Sequence, residues 1–346
     1  MTKVGIVGAT GYTGAELARL LANHPQVELE LLTSRSFVGQ QLSDIYANLK
    51  GIVDLECESL EAAELAKRVE IVFAALPHGV SMNIVPELLA AGLTVIDLSG
   101  DYRYHSQEVY EQWYEQSHQS PELIGKAVYG LPELNKSKIK SSSLVANPGC
   151  YPTSAILALA PAVEAGVIDL SSIIVDAKSG VTGAGRGANR VTHFVEANEN
   201  FRAYKVAEHR HTSEIEMGLE TLVNNEVVLS FTPHLVPMKR GILSTIYAQL
   251  TREVQTSQLL ELYRDFYRDK PFVRLQKEGV LPATKNVTAS NFCDLGLKVD
   301  QRTGRVVIVS AIDNLGKGAS GQAVQNLNLI LDCEETLGLE FAGIFP

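Results

Sequence analysis

Apolar residues along this chain follow two rhythms. Short runs rich in Val, Ile and Leu recur, and each of the early ones is followed by a segment whose apolar residues return every three or four positions. The runs at 3–7, 27–33, 52–57, 70–76, 94–98 and 143–146 read as strands. Helices are expected after the first of them, with Leu17, Leu20 and Leu21 on one face, and at 60–66, 80–91 and 151–160. Strands alternating with helices at this spacing predict a parallel sheet wrapped on both sides. Residues 104–128 hold the single Trp and no long period, so a short helix and an excursion are expected there.

Beyond Val167 the texture changes. Strands are expected at 173–177, 227–236, 243–250, 273–275 and 305–311, with few helices between them, which predicts a mixed sheet. One helix follows Ser213, with Ile215, Leu219 and Leu222 as its apolar face and a capping box from Ser213 to Glu216. Another spans about 257–268. The closing helix carries Ala323, Leu327, Ile330 and Leu331 on one face and is expected to return to the first domain. The fold class is therefore α/β: a Rossmann-like doubly wound parallel sheet plus an α+β domain with a mixed sheet. The expected domains are 1–150 with 314–346, and 151–313.

Composition narrows the possible partners. The 346 residues carry 30 basic and 40 acidic side chains, a net charge of −10, so no overall basic face invites nucleic acid or an anionic membrane. No apolar run is long enough for a membrane span. Met1-Thr2-Lys3 leads into a strand without a targeting pattern, and the four cysteines form no CxxC pair, so a reducing cytoplasm is expected and no metal.

Two motifs carry chemistry. Gly8-Ala9-Thr10-Gly11-Tyr12-Thr13-Gly14 joins the first strand to the first helix, the context of a dinucleotide site. Its glycines let backbone approach a pyrophosphate that faces the helix N-terminus. The spacing is GxxGxxG, with Thr10 where the common fingerprint has its second glycine. About 20 residues on, where an acidic residue would bind a free ribose 2′-hydroxyl, the chain offers Ser34 and Arg35. A hydroxyl and a cation suit a 2′-phosphate, so the expected cofactor is NADP(H). Ligands bind such sheets beyond the carboxyl ends of the strands, which also puts Pro77 and Arg103 on that edge.

The second motif is Asn147-Pro148-Gly149-Cys150-Tyr151-Pro152-Thr153. Pro148-Gly149 breaks the strand before it, and Pro152 suits the first turn of a helix. Cys150 then stands at a helix N-terminus, where unpaired donors and the helix dipole favour a thiolate nucleophile. The plainer alternative is a small buried Cys. Further on, Lys178-Ser179-Gly180 opens a flexible basic loop that includes Arg186 and can approach an anionic substrate. His209-Arg210-His211 stands just before a helix, well placed for acid–base work.

With these motifs in hand, the chain resembles the N-acetyl-gamma-glutamyl-phosphate reductases of arginine biosynthesis, in their longer form. The resemblance spans nearly the whole length and rests on Val7 to Gly14, Leu98 to Arg103, Asn147 to Thr153, Ser179 to Arg186 and His209 to Ile215. Ser213 stands where the pattern has a proline, and Gly100 where Ala or Asn is commoner. The resemblance implies NADPH-dependent reduction of N-acetyl-L-glutamyl 5-phosphate to the 5-semialdehyde through a Cys150 thioester. It implies His209 as general acid–base, with Glu214 orienting it and His211 in reserve. Arg103, Lys178, Arg186, Arg210 and His211 are then the expected substrate binders. The expected cofactor contacts are Gly8, Thr10, Gly11, Tyr12, Thr13, Gly14, Ser34, Arg35, Pro77, Ser179, Gly180 and Asn314. A homodimer or homotetramer is expected as well. The rival readings are an aspartate-semialdehyde dehydrogenase, a non-catalytic NADP-binding sensor, and a Cys/His hydrolase, which would not need the nucleotide motif.

Overall fold

The structure, a computed structural model, describes residues 1–345. The chain forms two compact units: Met1–Pro148 with Ala319–Glu340, and Gly149–Gly318 with the chain end from Phe341. Relative to the expected 1–150 and 314–346, residues 149, 150, 314–318 and the chain end from Phe341 belong to the second unit. The reason is local. Cys150 opens a helix buried in that unit, Asn314 is bonded to Gly241 and Thr182, and Gly318 lies against Cys150.

The first unit holds strands β1 (Thr2–Val7), β2 (Val27–Thr33), β3 (Cys57–Glu58), β4 (Ile71–Ala74), β5 (Thr94–Asp97), β6 (Val128–Tyr129) and β7 (Leu144–Ala146). Their order is β3-β2-β1-β4-β5-β7-β6 and every pairing is parallel. The order reverses between β1 and β4, the switch point at which such sheets bind ligands. Helices Tyr12–Leu21 and Ser81–Ala90 follow β1 and β4, and the closing helix Gly321–Ile330 packs on Tyr12–Leu21 and on Pro132–Lys140. Four of its polar side chains are fully buried. Gln325 reaches the carboxylates of Glu133 and Glu335, and Asn326 donates to Gly130 O and Asn147 Oδ1. The strand expected at 52–57 shrinks to β3 because the Asp54 carboxylate captures the Gly51 N–H and makes a turn of that stretch.

The second unit holds β8 (Ile174–Gly180), β9 (Arg202–Ala203), β10 (Ser230–Val236), β11 (Ile242–Gln249), β12 (Val273–Leu275), β13 (Cys293–Asp300) and β14 (Arg305–Ile312). They form a mixed sheet in the order β12-β13-β14-β11-β8-β10-β9. Helix Cys150–Glu164 packs on β11 and β14, and all its residues from Tyr151 to Val163 are buried. Ser154, in its second turn, bonds Ser244 Oγ (2.8 Å) and Ser310 Oγ (3.0 Å) on those strands.

Three expectations change here. Lys178, Ser179 and Gly180 end strand β8 instead of opening a loop, because they pair with β10 and β11. Strand β13 was not expected. The capping box from Ser213 to Glu216 does not form: Arg210 is the N-cap of helix His211–Glu220, Ser213 Oγ donates back to Arg210 O, and Glu216 accepts from Leu229 N. Among the described residues no helix is long and apolar enough to cross a membrane.

Pro161 sits inside the Cys150–Glu164 helix and cannot donate to Leu157 O. The Tyr267 hydroxyl takes that place at 2.5 Å, while Tyr263 donates to Ala158 O, a carbonyl that still faces the Ala162 N–H of the next turn. Tyr267→Phe leaves a buried carbonyl without its donor, so we expect a loss of about 1–3 kcal/mol in denaturant unfolding. Tyr263→Phe should cost visibly less.

Candidate active site

Cys150 is the first residue of its helix, and the N-cap before it, Gly149, is extended (φ −67°, ψ 152°). No side chain caps this helix and no acidic residue lies in its first turn. The Gly149 N–H instead donates to Oε1 of Glu214 at 2.8 Å, and Glu214 is fully buried. Thr153 N donates to Gly149 O at 2.9 Å, and Pro152 has no N–H. The first turn also contains the N–H groups of Cys150 and Tyr151, for which the helix itself offers no acceptor.

His209 and His211 are gathered around Tyr151, with ring centroids 5.8 and 5.9 Å from it and 4.7 Å from each other. His209 Nδ1 accepts the backbone N–H of His211 at 3.1 Å. In the neutral ring the proton is thus on Nε2. Burial, aided by the charges of Arg210 and Lys205, lowers the His209 pKa to about 3. Glu214 thus holds the Gly149 N–H that precedes the Cys150 helix, and the His209 ring is bonded within its own loop. The Tyr151 hydroxyl donates to His234 O (3.2 Å) and receives the Tyr204 hydroxyl (3.3 Å). Burial, aided by a negative charge on Cys150, raises the Tyr204 pKa to about 12. Neither tyrosine was singled out in the sequence: Tyr204 lies in an aperiodic stretch, and Tyr151 reads as a helix residue.

The expected substrate cations divide. Arg210 is the N-cap residue beside His209. Arg186 is exposed on the segment after β8. Lys178 points the other way: Ser244, bonded to Ser154 of the helix, pairs with Ala177, so the next residue along β8 faces the opposite side of the sheet. There Lys178 pairs with Asp176 at 2.7 Å, next to the Asp176–His234 pair. Arg103, in the first unit, is 4% exposed and donates to Asn147 O (2.8 Å) and Leu98 O (3.0 Å), clamping backbone. Ser179 ends β8 on the Tyr151 side, and Gly180 approaches Lys239 O so closely that a Cβ would lie 2.7 Å from it. Asn314 accepts from Gly241 N (2.8 Å) and donates to Thr182 Oγ1 (3.0 Å).

In the first unit, Gly8 has φ +87°, and a Cβ there would meet Ala75 O at 2.4 Å, so the turn after β1 lies directly on the end of β4. Gly11 is the extended N-cap of helix Tyr12–Leu21, again without a side-chain cap or an acidic first turn. Tyr12 and Thr13 open that helix, and Gly14 packs its Cα on the turn, where a Cβ would sit 2.5 Å from Gly8 O. Thr10 Oγ1 bonds Ser34 Oγ at 3.0 Å, which ties the turn to the end of β2. Arg35, next to Ser34, is exposed. Pro77 begins the turn after β4, held by two bonds from Gly79 N to the Asp101 carboxylate. An open helix start, a cradle only glycine fits and an adjacent hydroxyl and cation suit a dinucleotide with a 2′-phosphate.

A parallel sheet with a glycine turn at its switch point, together with a cysteine at a helix start, defines the class of semialdehyde dehydrogenases. The NAD binding domain of that class matches residues 3–142, and its dimerisation domain matches 150–314. The chain is 55% identical over 346 residues to the N-acetyl-gamma-glutamyl-phosphate reductase of Desulforudis audaxviator and 52% identical over 345 to that of Acetivibrio thermocellus, with 100% of each chain covered. It belongs to the N-acetyl-gamma-glutamyl-phosphate reductase family. Among solved structures, aspartate semialdehyde dehydrogenase II from Vibrio cholerae, complexed with ASA, covers 96% of this chain and 98% of its own at TM-score 0.73 and 17% identity. The Candida albicans aspartate semialdehyde dehydrogenase with NADP gives 0.72 and 16%, with 97% and 99% covered. These two share the fold, and at that distance the aspartate enzyme is a remote relative.

The buried neutral ring of His209 makes a pH prediction. An unfolded His takes up a proton near pH 6.5 and the folded one only near 3, so the unfolded state binds more protons between those values. Folding stability therefore falls as pH drops from about 6.5 toward 3. Urea unfolding at pH 7 and pH 4.5 should show a smaller drop in His209→Gln than in the wild type. Equal drops would mean that the ring is not buried neutral.

Proposed function

We propose that this chain reduces N-acetyl-L-glutamyl 5-phosphate with NADPH to the 5-semialdehyde and phosphate, a step of arginine biosynthesis. The observation that carries this reading is Cys150 at the start of a buried helix, in a chain matched end to end by relatives that bear this enzyme's name. With its full-length relatives named as reductases, the sensor alternative has no support.

The residues act as follows. The helix N-terminus holds Cys150 as a thiolate, which attacks the acyl carbon. A C–S bond forms, the C–O bond to phosphate breaks, and the departing phosphate takes a proton from solvent. The Cys150 and Tyr151 N–H groups bind the oxygen that carries charge as the carbonyl is attacked. When bound, NADPH would supply the hydride that adds to the thioester carbon, and cleavage of the C–S bond releases the aldehyde and restores the thiolate. His209 contributes its Nε2–H as a donor to that same oxygen. With Nδ1 engaged and Nε2 protonated it has no site to take the thiol proton, which is instead lost to solvent as the helix N-terminus stabilises the thiolate. Arg210 and Arg186 are the cations we assign to the substrate's phosphate and carboxylate, and His211 lines the same side through Tyr151. In the first unit, Gly8 to Gly14 and Pro77 hold the dinucleotide, with Ser34 and Arg35 on its 2′-phosphate. Ser179, Gly180 and Asn314 are retained as cofactor-side residues, Asn314 acting by fixing the loops at Gly241 and Thr182. We take the working form to be a homo-oligomer, since the matched second domain is named for dimerisation, and its place to be the cytoplasm, where four free cysteines stay reduced.

Two variants test this. Cys150→Ser should abolish acyl-phosphate reduction while NADPH still quenches or enhances protein fluorescence with unchanged affinity; full turnover would refute the nucleophile. Arg35→Ala should raise KM for NADPH by roughly tenfold or more, the loss of one charge-assisted contact of about 1.5–3 kcal/mol, and leave NADH turnover alone. An unchanged preference would remove Arg35 from the 2′-phosphate.

A further inference from the structure

The loop that leads out of β14 is built around one carboxylate. Asp313 is fully buried and accepts from Leu315 N (2.8 Å), Gly316 N (2.9 Å), Ala289 N and the Arg240 guanidinium (2.9–3.1 Å). Ala289 is held at φ +61°, a conformation that costs a non-glycine residue energy and persists only when its surroundings fix it. The Asp313 carbonyl then accepts Gly318 N at 2.9 Å, closing a π turn over Gly316–Ser320. That turn brings the Gly318 Cα against the nucleophile. A Cβ on Gly318 would lie 2.9 Å from Cys150 Cβ and 3.4 Å from its Cα, and 3.2 Å from Asp313 O.

With its lone pairs filled by these donors, the carboxylate has no capacity left for a substrate. Its reach is toward Cys150. We propose that Asp313 is a positioning residue for the Cys150 nucleophile, acting through the Gly318 turn. The turn walls one side of the Cys150 Cβ, which restricts the χ1 rotamers of the thiolate and aims Sγ in a fixed direction. Arg240 and Ala289 hold the carboxylate, the carboxylate holds the turn, and the turn holds the cysteine.

The inference rests on Cys150 being the nucleophile of the proposed reaction, and its test is chosen to be read without that reaction. The rate of Cys150 alkylation by iodoacetamide is followed against pH in the full chain, beside turnover with acyl phosphate and NADPH. Gly318→Ala should lower the thiolate alkylation plateau roughly tenfold, and Asp313→Asn should lower kcat by about 100-fold with a changed alkylation profile and KM within about threefold. NADPH affinity should stay at the wild-type value in both. If Asp313→Asn does not fold, Gly318→Ala alone decides. A folded variant that loses turnover but keeps the wild-type alkylation profile overturns the proposal, as does one with unchanged turnover. If wild type fails to reduce acyl phosphate, the proposed function falls, and the alkylation comparison still reads the positioning.

Discussion

The hydrogen bond from the Gly149 N–H to the buried carboxylate of Glu214 fixes where the nucleophile's helix begins. A buried carboxylate is stable only while its donors are present, so this bond is costly to lose and holds Gly149 extended. An extended Gly149 makes Cys150 the first helical residue, and Pro152 two positions on removes the next donor but one. The first turn thus holds the Cys150 and Tyr151 N–H groups and no acidic residue. A helix N-terminus is a setting that favours a thiolate, and the His209 ring nearby is neutral.

The expected substrate cations are spent with the same economy. Four cations looked available to an anionic substrate from sequence alone. One strand position decides against Lys178: alternation along β8 turns it to the face opposite the Cys150 helix, where Asp176 neutralises it. Arg103 is consumed by two backbone carbonyls, one of them Asn147 O in the turn before Cys150. A guanidinium so placed shapes the nucleophile motif from behind, and an arginine's fixed fork suits that work better than a lysine. Arg210 remains next to His209, and its charge helps keep that ring neutral.

The parallel sheet and the Cys150 helix start were legible because strong local signals marked them: apolar runs at regular spacing, a glycine turn after the first strand, and Pro-Gly before the cysteine. The closing helix was legible as a helix from its apolar face. What escaped were features set by distant partners. Strand β13 carries Asp294 and Lys298 among its apolar residues, and it is fixed by pairing with β12 and β14. The extension of β8 through Lys178-Ser179-Gly180 overrides a glycine-rich, basic stretch that reads as loop, because β10 and β11 supply ladder partners on both sides. Ser213 and Glu216 have the spacing of a capping box, yet the helix starts too early for it and Glu216 is drawn to Leu229 N. The Asp313 hub could have been suspected from Gly316 and Gly318 following an Asp-Asn pair, since closely spaced glycines mark tight backbone approach.

Each unit presents one helix whose N-cap is an extended glycine, with no side-chain cap and no acidic residue in the first turn: Gly11 before Tyr12–Leu21, and Gly149 before Cys150–Glu164. Most helices satisfy such donors with Ser, Thr, Asp or Asn, at a gain of about 0.5–2 kcal/mol. Leaving both starts uncapped forgoes that gain, and the compensation differs at the two. At Gly11 the first turn holds no acidic residue, and Thr10, which has a hydroxyl able to cap, is turned instead to Ser34. At Gly149 a carboxylate does approach, but it is aimed at the N–H one residue before the helix, outside the donors that face the sulfur. A helix start of this kind has the backbone donors and the dipole that suit an anion, whether a phosphate or a thiolate.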